Sequence, residues 1–182
     1  MDKQKIYTNA SYEYMNEIMD LKSLASYHSI NPKKVLFGYD ILLQISLMHM
    51  VGLDGKVSSI ETEFLGLIVK ENDLMKILSE RLNKNISWDI LSKIDKYDEF
   101  LASVEGIFKV ELSEFINLFT SLDFKTGEDY LNRLKGNIYY ICQAVLEIDG
   151  FDESEKRAMS VLNETIFNKL DDIKIAIDDI TK

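Results

Sequence analysis

The sequence has few of the residues that secreted proteins and turn-rich folds depend on. In 182 residues there are one cysteine, one proline, one tryptophan and two histidines. A single cysteine excludes an internal disulfide, and no stretch after Met1 has the pattern of a secretion signal, so we expect a reducing, cytoplasmic setting. One proline and eight glycines favour long helices over frequent turns. No segment alternates apolar and polar residues as a half-buried strand does, so the chain is predicted to be all-α.

Motifs for common catalytic chemistry are also missing from the sequence. There is no glycine-rich phosphate loop, no Gly-x-Ser-x-Gly, no His-Glu-x-x-His and no Cys-x-x-Cys. Two histidines and one cysteine leave few combinations of nucleophile and base. We therefore expect a protein that acts by binding and is not an enzyme.

Acidic residues outnumber basic ones, 31 to 21, which gives a net charge of −10. Residues 147–182 hold ten acids and five bases and so carry half of this excess. Such a chain is repelled by nucleic acid and by anionic membranes, whereas a divalent cation or a basic protein is attracted. The same balance also serves solubility alone. The most apolar stretch, residues 35–53, contains Asp40, Gln44 and His49; it is predicted to be a buried helix and not a membrane span.

A short pattern occurs twice in the chain, with its Asp-Gly pairs 95 positions apart. Residues 47–65 read LMHMVGLDGKVSSIETEFL, and residues 142–159 read CQAVLEIDGFDESEKRAM. Each copy is an apolar helical run, an Asp-Gly turn and then a capping box, in which an N-cap oxygen precedes a glutamate by three residues. Glycine suits the left-handed position at which many helices end. The sequence therefore predicts a unit of helix, tight turn and helix, built twice.

The two copies resemble the TerB-like domain family of tellurite-resistance proteins, over roughly residues 32–167. The matching residues are Asp54, Gly55 and Glu61 in the first copy and Asp149, Gly150 and Glu155 in the second. The resemblance implies a small helical bundle with two pseudo-symmetric halves. It also implies a stress-response role, in tellurite or oxidant resistance or in phage defence, as a scaffold beside membrane or effector partners.

We predict a single TerB-like domain of about eight helices. Residues 1–30 are expected to add an N-terminal helix that begins at Ser11 after a frayed end. Residues 31–170 are expected to form the duplicated core, and residues 171–182 the end of the C-terminal helix. Apolar residues at helical spacing support both added segments.

Three positions decide where the longer helices begin and break. Asn31 before Pro32 is typical of a helix start, and Thr126 before Gly127 occupies the corresponding place in the second copy. We expect both pairs to begin long helices. We also expect a break near Gly106, because glycine is a poor helix former.

The paired aspartates are the strongest candidates for a binding site. Each aspartate follows the C-terminal end of a helix, where the macrodipole disfavours an anion by about 0.3–1 kcal/mol. Because this unfavourable placement occurs in both copies, it suggests a compensating gain. The gain is structural if each carboxylate accepts amide hydrogen bonds from its own turn or the next helix. It is functional if the turns meet and hold Ca²⁺, Mg²⁺ or Zn²⁺ jointly, because neither copy has the ligands of an autonomous EF-hand loop. This carboxylate set consists of Asp54, Glu61, Asp149, Asp152 and Glu155.

A second function is open, that of an acidic immunity-type protein that masks a basic toxin such as a nuclease. Its acidic face would be centred on residues 149–155 and 171–179. Carboxylates that converge on one pocket favour the metal site, whereas acids spread over an exposed face favour a basic partner. In either case we expect protein partners, basic or membrane-associated, and neither nucleic-acid binding nor insertion into a membrane.

Four further side chains have ordinary expected roles. His49 lies one helical turn before Asp54 and can join the metal site, although a lone histidine on an apolar helix is usually a hydrogen-bonded core residue. Cys142 is expected to be a buried, inert thiol. Met15 and Met19 are expected to fill the core.

Overall fold

The computed structural model describes residues 3–51, 74–91 and 93–148, and the single positions 58, 60, 63, 66, 153, 157 and 160. These residues are helical or irregular, and none of them lies in a strand. The all-α prediction is therefore confirmed. The helices are α1 (Lys3–Tyr27), α2 (Pro32–Val51), α3 (Leu74–Leu82), α4 (Trp88–Leu91), α5 (Tyr97–Thr126) and α6 (Tyr130–Leu146).

Five of these helices are longer than a single turn, and α4 has only four residues. Within the described residues the structure does not support a count of about eight helices or two pseudo-symmetric halves, and both stay predictions. Helical backbone is also found at single positions beyond the two turns, namely Ile60, Glu63, Gly66, Glu153, Arg157 and Ser160.

Helix α1 is longer than the sequence predicts, because it begins at Lys3 and not at Ser11. Ile6 and Ala10 are buried in the core, so the first two turns gain enough apolar contact to stay helical. The prediction that Met15 and Met19 fill the core is wrong, since their side chains are 47% and 55% exposed. The core face of α1 is instead formed by Ala10, Tyr14, Ile18, Leu21 and Ala25.

Helix α2 lies at the centre of the bundle and contacts α1, α5 and α6. It begins as predicted after Asn31, whose Oδ1 accepts a hydrogen bond from the Lys33 amide at 3.0 Å. Asp40 and Gln44 are both 1% exposed. Within the described residues this apolar stretch is therefore a largely buried helix, as expected.

Helix α5 is continuous over thirty residues, so the predicted break near Gly106 is wrong. A glycine in a helix costs about 1 kcal/mol relative to alanine. Val104 and Phe108, on either side of it, are fully buried. Their packing outweighs the weak propensity of the single glycine.

Thr126 and Gly127 end a helix and do not begin one, which corrects a second expectation. Gly127 has φ +74°, and its amide donates to the Asp123 carbonyl at 2.9 Å. The next helix is capped from the end of α5, because the Asp123 carboxylate accepts hydrogen bonds from the amides of Tyr130 and Leu131 at 2.8 and 3.3 Å. The left-handed glycine closes one helix and allows α6 to start at Tyr130.

Candidate functional site

The carboxylate set lies outside the described residues. Its members are Asp54, Glu61, Asp149, Asp152 and Glu155. Within the part of the chain that the structure describes, no group of three or more histidine, cysteine, aspartate or glutamate side chains can hold a metal ion. What the structure does describe is the pair of helices that precede the two Asp-Gly turns.

The directions of the helices follow from contacts along their lengths. Lys34 pairs with Glu114 at 2.7 Å, and His49 pairs with Glu105 at 2.7 Å. From the first contact to the second, the residue number rises along α2 and falls along α5, so these two helices are antiparallel. The short connections at 28–31 and 127–129 make α1 antiparallel to α2, and α5 antiparallel to α6.

Helices α2 and α6 therefore run in the same direction. The contacts of α1 with α6 agree, because Glu17 meets Arg133 at 3.1 Å while Lys5 and Glu147 line one cleft. The two helices that precede the Asp-Gly pairs thus end at the same end of the bundle. This common end also holds the first residues of α1 and of α5.

His49, in the last turn of α2, makes a specific tertiary contact at this common end. Its Nε2 lies 2.7 Å from Oε1 of Glu105 in α5, and the two side chains are 17% and 34% exposed. Beside it, the hydroxyl of Tyr97 donates to the carbonyl of Met48 at 2.7 Å. These contacts join the end of α2 to the first part of α5. The expectation of a hydrogen-bonded histidine is confirmed, but its partner lies 56 residues away and has no signal in the sequence.

A cleft of about 170 Å³ lies between the start of α1 and the end of α6. Its wall combines a base, an acid, two amides and apolar side chains, among them Lys5, Ile6, Asn9, Tyr140, Gln143 and Glu147. Gln143 donates to the Glu147 carboxylate at 2.8 Å. The common end is therefore concave on this side and carries both signs of charge.

Cys142 lies in the core near the end of α6. The residue is fully buried, and burial raises the pKa of its thiol well above the usual range. A thiol that does not ionise near neutral pH is a poor metal ligand and a poor nucleophile. The expectation of a buried cysteine is confirmed, and its inertness stays a prediction.

A buried polar network joins α1, α2 and α6. The Tyr14 hydroxyl donates to Asp40 Oδ1 at 2.9 Å, and the Tyr39 hydroxyl donates to Asn137 Oδ1 at 2.5 Å. Asn137 in turn donates to the Glu13 carbonyl. Burial, aided by nearby acidic groups, raises the pKa of Tyr39 well above its usual value. Buried polar groups that are paired in this way fix the relative positions of the helices.

Glu17 extends this network at the interface between α1 and α6. The residue is 6% exposed, and its carboxylate accepts a hydrogen bond from Arg133 at 3.1 Å. Burial raises the pKa of Glu17, although the Arg133 charge opposes that rise. Its spacing from Tyr14 and Leu21 places it on the buried stripe of α1, so the helical period was the signal that could have identified it.

No described helix is both long and apolar enough to cross a membrane.

Similarity to known proteins does not identify the chain. No protein-family model, no curated protein and no solved structure matches it. Its function is therefore inferred from its own residues.

Proposed function

We propose that the protein is a non-enzymatic, TerB-like stress-response protein that binds a divalent ion through its carboxylate set and acts as a cytoplasmic scaffold for other proteins. The resemblance of the two Asp-Gly copies suggests tellurite or oxidant resistance, or phage defence, as its setting. A basic protein partner fits its acidic charge, and the resemblance suggests membrane-associated partners.

The observation that carries this proposal is the shared direction of α2 and α6. Asp54 follows Val51 by three residues, and Asp149 follows Leu146 by three. Three residues reach at most about 11 Å. Both Asp-Gly pairs therefore follow closely on helices that end at the same end of the bundle, which supports a shared site. Had the two helices been antiparallel, the turns would start at opposite ends.

The proposal of two related halves rests on the repeat in the sequence, and the described helices do not by themselves support it. Helices α1 and α2 form one antiparallel hairpin, and α5 and α6 form another. The second helix of each hairpin leads into an Asp-Gly turn. The proposed duplicated unit is a helix, a tight turn and a following helix, built twice within residues 31–170.

Electrostatics supply the reason for a cation. Asp54 and Asp149 each follow a helix C-terminus, where the macrodipole disfavours an anion, and carboxylates that share a site repel one another. A divalent ion removes both costs, and a hard cation such as Ca²⁺ takes about six to eight oxygen ligands. The ion would thus link the segments that follow the two hairpins.

Calorimetric titration of the metal-stripped protein with Ca²⁺, Mg²⁺ and Zn²⁺ tests this function. We expect micromolar binding of at least one ion, and its loss in the double variant Asp54→Asn, Asp149→Asn. The matched control is Glu114→Gln, Glu128→Gln, which makes the same change of charge at two exposed positions. Full metal affinity in the aspartate double variant would refute the shared site.

The acidic immunity-type protein is the alternative, favoured by the ten acids of residues 147–182. A basic protein partner would then bind with an affinity that falls steeply with salt, because the attraction between exposed charges is screened. Absence of heat with every ion, together with salt-sensitive capture of a basic nuclease, would favour this alternative.

A further inference from the structure

The cleft between the start of α1 and the end of α6 has a basic wall and an acidic wall. Lys5 and Asn9 lie one turn apart on α1, and Tyr140, Gln143 and Glu147 follow one face of α6. Because the two helices are antiparallel, the start of α1 faces the end of α6, so Lys5 and Glu147 stand on opposite walls. Among the described residues no ion pair joins these two side chains. The space between them is the cleft itself.

Three polar side chains of the cleft have no partner within the part of the chain that the structure describes. The Lys5 ammonium, the Asn9 amide and the Tyr140 hydroxyl make no hydrogen bond or ion pair there. The carboxylate of Glu147 is oriented from its own helix, because Gln143 Nε2 donates to its Oε1 at 2.8 Å. This leaves Oε2 to accept from another donor. The cleft therefore presents donors on one side and an acceptor on the other.

The backbone gives the two walls the same polarity as their side chains. Helix α1 begins at Lys3, so Lys5 lies in the first turn, where unpaired amides carry a partial positive charge. Helix α6 ends at Leu146 with Glu147 as its C-cap, where unpaired carbonyls carry a partial negative charge. The separation of charge across the cleft thus has two sources, the side chains and the helix macrodipoles.

The inner surface of the cleft is apolar and its volume is small. Ile6 and Ala144 line it and are each only 7% exposed, while Tyr140 is 42% exposed at its edge. The volume of about 170 Å³ lies below the roughly 300–1,000 Å³ of sites for drug-sized ligands. A ligand of this cleft is therefore small, with a short apolar part beside its charged groups.

We propose that this cleft binds a small zwitterion of the α-amino acid type. The ligand carboxylate accepts hydrogen bonds from Lys5 and Asn9, and the ligand ammonium donates to Glu147 Oε2 and the Tyr140 hydroxyl. The apolar side chain of the ligand covers the inner surface. A ligand with only one of the two charges leaves the opposite wall without a partner and binds less well. This inference goes beyond the proposed function and requires no metal ion.

The test is titration of the isotope-labelled full-length protein with L-valine, at low salt and with a chelator present, followed through amide chemical shifts by NMR. We expect saturable shifts at residues 5–9 and 140–147. The affinity is expected in the millimolar range, because a few heavy atoms in an open cleft gain little free energy. L-Valinamide lacks the carboxylate and N-acetyl-L-valine lacks the ammonium. Each is expected to bind about 10-fold more weakly, the effect of losing one charged hydrogen bond.

Two variants assign the walls separately. Lys5→Met is expected to weaken L-valine binding about 10-fold and to bind L-valinamide as well as L-valine. Glu147→Gln is expected to weaken L-valine binding similarly and to bind N-acetyl-L-valine as well as L-valine. The matched controls are Lys3→Met and Glu128→Gln, which make the same changes at exposed positions that do not line the cleft. Both controls are expected to keep the affinity and the preference of the wild type.

Several results would overturn the inference. They are shifts that do not saturate or that spread over the whole chain, equal binding of L-valine and either analogue by the wild type, and equal weakening by Lys3→Met and Lys5→Met. The comparison of analogues uses the wild type, so it decides the question even if a variant unfolds, which its amide spectrum would show. Because the chelator removes divalent ions, failure here leaves the shared carboxylate site to its own calorimetric test.

Discussion

The ring of Phe115 packs directly on the backbone of Gly38, where α5 crosses α2. A Cβ added at Gly38 would lie 2.3 Å from Cδ2 of Phe115 and 2.8 Å from its Cβ. Real side chains do not approach so closely, so the two helices can meet here only because residue 38 has no side chain. This glycine therefore sets the distance between the central helix and α5.

Gly38→Ala is expected to destabilise the fold by about 1–3 kcal/mol, the usual cost of inserting a methyl group into a packed core. The substitution improves helix propensity by about 1 kcal/mol, so any net loss reports the clash. Chemical denaturation gives the free energy of unfolding. Gly136→Ala in α6 is the matched control, because a Cβ added there would meet no atom within 4 Å; it is expected to be neutral or stabilising. Equal stability of the two variants would contradict the close contact.

Tyr14→Phe is expected to cost about 1–3 kcal/mol, because it removes a donor from the buried carboxylate of Asp40. The aromatic ring and its packing against Tyr39 are kept. Tyr12→Phe makes the same chemical change on a side chain that is 64% exposed, and we expect less than about 0.5 kcal/mol there. Urea unfolding of both variants measures the difference. If Tyr14→Phe leaves the free energy of unfolding unchanged, the hydroxyl contributes nothing to holding α1 on α2.

Glu17 is expected to make stability fall as pH rises through the acidic range. Its pKa is raised in the folded protein, so the folded state holds this proton more tightly than the unfolded state. Stability then decreases between the ordinary carboxyl pKa and the raised value. Unfolding free energies of wild type and Glu17→Gln are measured from about pH 4 to 7. The wild type should lose stability relative to the variant over this range, and a flat difference would contradict the assignment.

Glu111 provides a control of opposite sign for that experiment. Partial burial is the largest single influence and acts to raise the pKa of Glu111. The hydrogen bond from Arg81 at 2.6 Å, a hydrogen bond to the backbone amide of Glu111 and the Arg81 charge together outweigh it and lower the pKa. Stability from this group is present above the unfolded pKa and is lost as pH falls through the folded one. Relative to Glu111→Gln, the wild type should therefore gain stability as pH rises from about 3 to 5. If the stability difference between wild type and variant changed with pH in the same direction for both glutamates, the structure would be contradicted.

Cys142 is expected to react with thiol reagents only when the protein unfolds. The thiol is fully buried and its raised pKa suppresses the reactive thiolate. Labelling with Ellman's reagent at neutral pH should be slow in buffer and complete in concentrated denaturant. Because it is the only cysteine, labelling against denaturant concentration also reports global unfolding. Rapid labelling of the native protein would show that the packing around α6 opens locally.

Local patterns predicted much of the helical structure. Asn31 before Pro32 predicted the start of α2, which begins at Pro32 in the structure. The polar residues inside the most apolar stretch correctly indicated a buried helix. These predictions succeed because capping and periodicity act within one or two turns of a helix. The carboxylate set was inferred in the same way and stays a prediction, since its residues lie outside those described.

Long-range packing decided what the local patterns left open. Gly106 and Gly127 are the same residue type in one helical region, yet α5 passes through the first and ends at the second. Met15 looks like a core residue from its chemistry, but Tyr14 beside it faces α2 and takes that place. Such outcomes depend on which surface each helix meets, and that surface comes from residues far away in the chain.

By itself, the sequence determined that this protein is helical, acidic and marked by two Asp-Gly copies, because composition and local periodicity carry that information. Only the tertiary structure decided that α2 and α6 run in the same direction and that His49 meets Glu105 across 56 residues. The physical reason is that helix direction and side-chain partners follow from how whole helices bury their apolar faces against one another, which no short stretch of sequence specifies.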